Sequence, residues 1–148
     1  MGPNQKPSEG LSLLASIDPV SQGAGTVNTG WVSVKNHHAL MALVSTGVLG
    51  AAATVDAKIQ QATDSAGAGA KDVTGKSITQ IVKATGDNKQ AIINAKMADL
   101  DTEGAFNYVR LSITVGTAAS LVAGYLVGAF PRFEDAAAFN QAGVVQVV

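Results

Sequence analysis

The sequence contains no cysteine. Neither a disulfide framework nor a thiolate metal site is available, so the fold must rest on its core, its hydrogen bonds and its neighbours. Charge is scarce as well. Asp, Glu, Lys and Arg make up 14% of the residues, against roughly 25% in an ordinary soluble domain. With 47% of its residues hydrophobic, the chain has few charges with which to cover a free surface. Either part of that surface is buried against other subunits, or part of the chain sits in lipid. The ten Lys and Arg residues are dispersed and the net charge is -1, which leaves no electrostatic footprint for nucleic acid. Aromatic residues are only 5%, and several stand at apolar positions, so core use outweighs the stacking platforms that sugars or single strands require. The first ten residues lack the apolar stretch of a secretory signal, and no export is expected.

What is present is two-residue periodicity. From Ala53 to Asp64, Ala53, Val55, Ala57 and Ile59 alternate with Thr54, Asp56, Lys58 and Gln60, the pattern of a β-strand with one buried face. A helix would scatter Asp56 and Lys58 among the apolar residues. Tyr108 to Gly116 repeats the pattern, with Val109, Leu111, Ile113 and Val115 inward and Arg110, Ser112 and Thr114 outward. Gly30 to Lys35 and Gln90 to Ala98 read as further strands. Ala39 to Val44 and Leu121 to Phe130 are apolar runs of strand length, the first read as covered on both faces; Pro131 ends the second. Ser65 to Asp72 is a glycine-containing loop. The segment holding Ile78, Ile81 and Val82 fits a helical turn as well as an irregular strand.

The motifs that would carry chemistry are incomplete. Thr74-Gly75-Lys76-Ser77 resembles the end of a phosphate-binding loop, but Ala70 stands where the first glycine belongs. His37 and His38 are adjacent, so on a strand they face opposite sides and cannot share a metal. Asp99, Asp101 and Glu103 lack the spacing of a calcium loop. No Ser, His and acid set stands in a nucleophile context. Neither an enzyme nor a cofactor or metal site is expected. Ile113 to Phe130 is uncharged, and Gly124 and Gly128 have the spacing of packed transmembrane helices. The period-two pattern entering that run, and the small-residue turn Thr117 to Ser120, favour strands instead.

Residues 1–30 hold three of the four prolines and one apolar cluster, Leu11, Leu13, Leu14 and Ile17. They read as an extended arm, either mobile or docked on a neighbour. Residues 133–148 read as a second arm, with a helical turn near Asp135 to Phe139 and a valine-rich end, Val144, Val145, Val147 and Val148. Such an end is an aggregation hazard unless paired. The expected architecture is all-β, an antiparallel β-sandwich or jelly roll over residues 31–132 with extended N- and C-terminal arms. The apolar residues of the two arms are the assembly-interface candidates.

Ile17-Asp18-Pro19, Gly30-Trp31-Val32, Gln60 to Asp64, Gly69 to Lys76, Tyr108-Val109-Arg110 and Gly116 to Ala119 together resemble small virion proteins of tailed bacteriophages, over about residues 11–132. The resemblance implies a structural role in the head region, as a capsid cement or decoration protein. The implied partners are its own copies, in a homo-oligomer such as a trimer, and the major capsid protein. The implied location is the virion, with the host cytoplasm during assembly. A head-to-tail connector or tail position is the alternative within that resemblance. A small-molecule or glycan-binding β module is the alternative outside it.

Overall fold

The structure is a computed structural model that describes residues 2–148. Its organising pair is Thr54–Ala62 (β5) and Tyr108–Gly116 (β9), where polar and apolar residues alternate so that one face can be buried while the other meets water. The two strands run antiparallel, with Ile59 opposite Leu111 and Ala57 opposite Ile113. Val55, Ile59, Val109, Leu111, Ile113 and Val115 all face one core and are at most 1% exposed. Gly25–Asn28 (β2) flanks β9 and Lys71–Ser77 (β6) flanks β5. The short Val32–Ser33 (β3) and Ile81–Val82 (β7) complete this larger, six-stranded sheet. The ambiguous segment around Ile81 is therefore strand β7, followed by one helical turn at Lys83–Gly86.

The smaller sheet has four strands in the order Leu11–Gln22 (β1), Ser120–Pro131 (β10), His37–Thr46 (β4) and Gln90–Lys96 (β8). All its pairings are antiparallel. Leu14, Ile17, Leu40, Val44, Ile93, Val122 and Leu126 point inward from it and pack on the larger sheet. The result is an antiparallel β-sandwich with a single core between the sheets.

Gly124 and Gly128 have a reason of their own in this fold. Both face the interior of β10, and a Cβ on Gly124 would lie 2.7 Å from Leu111 of the opposite sheet. A Cβ on Gly128 would lie 2.6 Å from the His37 ring. Their four-residue spacing is thus two steps of a strand on one face, leaving room for Leu111 and His37. The uncharged run Ile113 to Phe130 is divided between β9 and β10. Among the described residues no helix is long and apolar enough to cross a membrane.

The expected division into an arm over 1–30, a sandwich over 31–132 and an arm over 133–148 needs correction. Leu11–Gln22 is a full strand of the smaller sheet, with Leu14 and Ile17 in the core. Its periodicity is broken by register shifts between Leu13 and Ala15 and between Ile17 and Val20, so the alternation is hidden in the sequence. Pro19 is tolerated because β1 is an edge strand. At the other end, Ala136 is fully buried and Phe139 packs against the core. These two belong to a 3-10 turn, Ala136–Phe139. Asn140 Oδ1 then accepts from the Leu13 amide, and the Gln141 amide donates to the Leu13 carbonyl, each at 2.8 Å. At this end the segment that extends from the sandwich as an arm is residues 142–148.

Ala39 to Val44 is likewise not covered on both faces. Leu40, Ala42 and Val44 are buried, whereas Ala39, Met41 and Leu43 on the other face are half-buried.

Candidate assembly face

The two outer faces of the sandwich differ in chemistry. On the larger sheet, Asp56, Lys58 and Gln60 of β5 lie opposite Thr114, Ser112 and Arg110 of β9. Lys58 is paired with Asp72 at 2.8 Å, Arg110 Nε donates to Gln60 Oε1 at 2.9 Å, and Thr26 is bonded to Thr114. This face is polar and internally hydrogen-bonded, as a solvated sheet surface should be.

On the smaller sheet the register lines up apolar side chains of the two central strands, β10 and β4, with Leu11 and Leu13 of β1 and Ile92 of β8, while Gln90, Asn94 and Lys96 make the rest of the β8 face polar. One row is Leu11, Ala129, Ala39 and Lys96; the next is Leu13, Val127, Met41 and Asn94; the third is Ser16, Tyr125, Leu43 and Ile92. Leu121 extends the surface along β10 and is 47% exposed, while Ile92 is 58% exposed. Charge stands at the rim: Asp18, which accepts a hydrogen bond from Ser16, at one end, and Lys96 with the Lys76–Asp99 pair at the other. Two shallow depressions open near the ends of this face. One, of about 450 Å³, has Leu11, Met41, Ala129 and Phe130 on one side and Lys76, Lys96 and Asp99 on the other. The other, of about 330 Å³, is lined in part by Pro19, Val20, Leu121 and Ala123. Isolated surface hydrophobes are ordinary, but a contiguous apolar sheet face with a polar rim marks an interaction site.

The interface candidates read from the sequence fall into three groups. Leu11 and Leu13 lie on this face. Leu14 and Ile17 do not: Leu14 points inward by alternation with Leu13, and the bulge that follows turns Ile17 into the core. Val145, Val147 and Val148 are exposed and Val144 partly so, in the segment beyond Gln141. Met41, Leu43, Ile92, Tyr125 and Val127 were missed. For Met41, Leu43, Tyr125 and Val127 the signal is the continuous apolar character of β4 and β10, which reads as double-sided burial until one side is found open; Ile92 stands among Gln90, Asn94 and Lys96 on β8 and gives no such signal.

Elsewhere the polar clusters are structural. Lys76 of the incomplete phosphate motif lies in strand β6 and pairs with Asp99 at 3.2 Å. Among the described residues no group of three metal-ligating side chains is gathered. Trp31 is occupied on two sides: the Arg110 guanidinium stacks 4.6 Å from its ring centroid, and a Cβ on Gly67 would fall 2.4 Å from its indole nitrogen.

His37 is buried beneath Gly128, with the Phe139 ring edge-on at 5.1 Å. Ser12 Oγ donates to the Ala136 carbonyl at 2.6 Å. The serine proton is thereby committed, so His37 Nε2, 3.0 Å away, donates to Ser12 Oγ. His37 Nδ1 is left without a partner. A serine whose proton is held by a buried carbonyl is no nucleophile; this group fastens the Ala136–Phe139 turn over the end of the core.

Burial pushes the His37 imidazole below its usual value. The unfolded chain takes up that proton near about pH 6.5, more readily than the folded one. The stability contributed by the neutral ring is therefore complete above the unfolded value and is lost as pH falls toward the lowered folded value. Asp72, held low chiefly by the hydrogen bond from Lys58, and Asp101, held low chiefly by that from Lys71, lose their contribution only further down, below the ordinary carboxylate range. The thermal midpoint should thus drop between about pH 7 and pH 5, and His37→Gln should flatten that part of the profile. A native midpoint indifferent to pH over this interval would contradict the assignment.

No protein-family model matches the chain, and no curated protein matches it. Solved structures with a similar course of the chain include a chain of Broad Bean Stain Virus, at 9% identity and a TM-score of 0.47, covering 87% of this chain and 90% of that one. A CBM4 protein gives 15% identity and a TM-score of 0.43, covering 72% of this chain; the chain spans 61% of its length. The CBM22-1 xylan-binding domain from Paenibacillus barcinonensis gives 12% identity and a TM-score of 0.41, covering 82% of this chain and 83% of that one. Viral particle chains and carbohydrate-binding modules stand at similar distances, and these likenesses do not decide between them.

Proposed function

We propose that this chain is a non-enzymatic virion structural protein, a cement or decoration protein of a tailed-phage head, that attaches to the capsid shell through the apolar outer face of its smaller sheet. The observation that carries this reading is the contrast between the two sheets: the charge-poor composition is concentrated on one face. The sequence resemblance to small phage virion proteins supplies the kind of particle.

The face is of modest size. Four strands about 4.8 Å apart and about nine residues long give a face on the order of 600 Å², less than the ~800 Å² per partner of a standard stable interface. A weak contact of this size suits a protein held in many copies on a repeating lattice, where copies joined to one another bind with multiplied strength. A glycan module would instead present exposed aromatic platforms. Here the aromatics that reach the surface are scattered: Tyr125 and the half-exposed Phe130 lie five residues apart on β10, Phe133 follows the strand, and Arg110 stacks on the half-buried Trp31.

The test is to add the purified chain to heads of the encoding phage that lack it and to sediment them. Saturable co-sedimentation in many copies per head is expected. Heads that take up none, with the chain recovered in tail fractions, would move it to a connector or tail position.

A further inference from the structure

We propose that residues Val144–Val148 of one copy add as an extra strand to the free edge of β8 in a neighbouring copy, joining copies without any help from a shell. The inference rests on three observations and does not require the capsid reading.

The first is the segment itself. Val144-Val145-Gln146-Val147-Val148 carries no charged side chain, and β-branched residues of this kind favour extended pairing. Val145 and Val148 are almost fully exposed. The one backbone bond tying the segment to the rest of the chain, among the described residues, is a turn from the Val144 amide to the Gln141 carbonyl.

The second is the state of the sheet edges. β6 is guarded by Lys71, Asp72 and Lys76 and is distorted at Gly75, whose φ is +74°. β2 is only four residues long. β1 is bulged, carries Pro19, and is met at Leu13 by Asn140 and Gln141. β8 is guarded only at its Lys96 end, where Asp99 and Lys76 stand and β6 lies beside it. Ala91 to Ala95 contains no charge or proline, and among the described residues its backbone has no hydrogen bond outside the ladder with β4. At its end, the Lys96 amide is held by Asp99. An edge of this kind is a template for another strand.

The third is reach, and it decides which copy supplies the strand. Gln141 is fixed outside β1, at the edge opposite β8. From there to a strand added beyond β8 is five strand spacings, roughly 24 Å. The three residue steps from Gln141 to Val144 span at most about 11 Å. A chain cannot place this segment on its own β8, but a neighbour can. In the added strand, the valines of one face would continue the row through Ile92, and those of the other would close the sandwich beside Ile93.

Sedimentation of the purified chain tests this, with no particle present. The native chain should self-associate, and removal of residues 144–148 should weaken that association at least about tenfold with an unchanged circular dichroism spectrum. Because the chain has no cysteine, Ile92→Cys and Val147→Cys chains mixed under oxidising conditions should give the mixed disulfide dimer. A native chain that stays monomeric, association that survives the truncation, or a mixture that yields no mixed disulfide would overturn the proposal. Shell attachment is read in a separate assay, so failure of one reading is distinct from failure of the other.

Discussion

Leu111→Ala is expected to destabilise the protein by about 2 to 5 kcal/mol, the range for removing a large aliphatic side chain from a packed core. Leu111 lies in β9, is fully buried, and stands opposite Ile59. Its tip fills the space left by Gly124 on the other sheet, so the deleted atoms touch both halves of the sandwich. Backbone on either side is pinned, with the Thr29 hydroxyl accepting from the Leu111 amide at 3.0 Å, which limits collapse into the cavity. Urea unfolding with an unchanged slope measures the loss. A change below about 0.5 kcal/mol, the range of surface substitutions, would contradict this packing. Ile92→Ala, on the exposed side of β8, is the matched control and should fall in that small range.

Val127→Glu should have the largest effect on attachment while leaving the fold intact. Val127 sits between Leu13 and Met41 on the outer face of the smaller sheet, so in the free protein a carboxylate there can reach water. Once the face is covered, the charge is buried without a partner, which typically costs about 3 to 5 kcal/mol, or more than a hundredfold in binding. Lys58→Glu on the polar sheet should leave attachment near its native level. Copies retained per particle, measured beside circular dichroism of the free protein, separate the cases. Normal attachment of Val127→Glu would remove the apolar face from the account.

The strands that were legible are those in which one face is apolar and the other polar. In β5 and β9 the alternation of Val55 and Ile59 with Asp56 and Gln60, and of Leu111 and Ile113 with Arg110 and Ser112, leaves a single reading, and the inward set is the core. β1 was not legible. The bulge at Leu14 puts two consecutive residues, Leu14 and Ala15, inside, and Asp18-Pro19 falls where the period would resume, so a core strand looks like an arm. β4 and β10 were legible as strands but not as a surface. When both faces are apolar, periodicity cannot say which is open, and the face exists only because strand order brings Leu13, Val127 and Met41 into one row. Gly124 and Gly128 show the same limit from another side, since a spacing of four suits a helix interface and a strand's inner face equally well until the partner of each glycine is known.

The most direct test of the proposed role is a cryo-electron microscopy map of capsid heads that carry the chain, at a resolution that orients the sandwich. The account predicts repeated copies on the outer surface, with β1, β10, β4 and β8 against the shell and the polar sheet of β5 and β9 facing outward. Copies bound through the polar sheet, or density confined to the portal or tail, would contradict it.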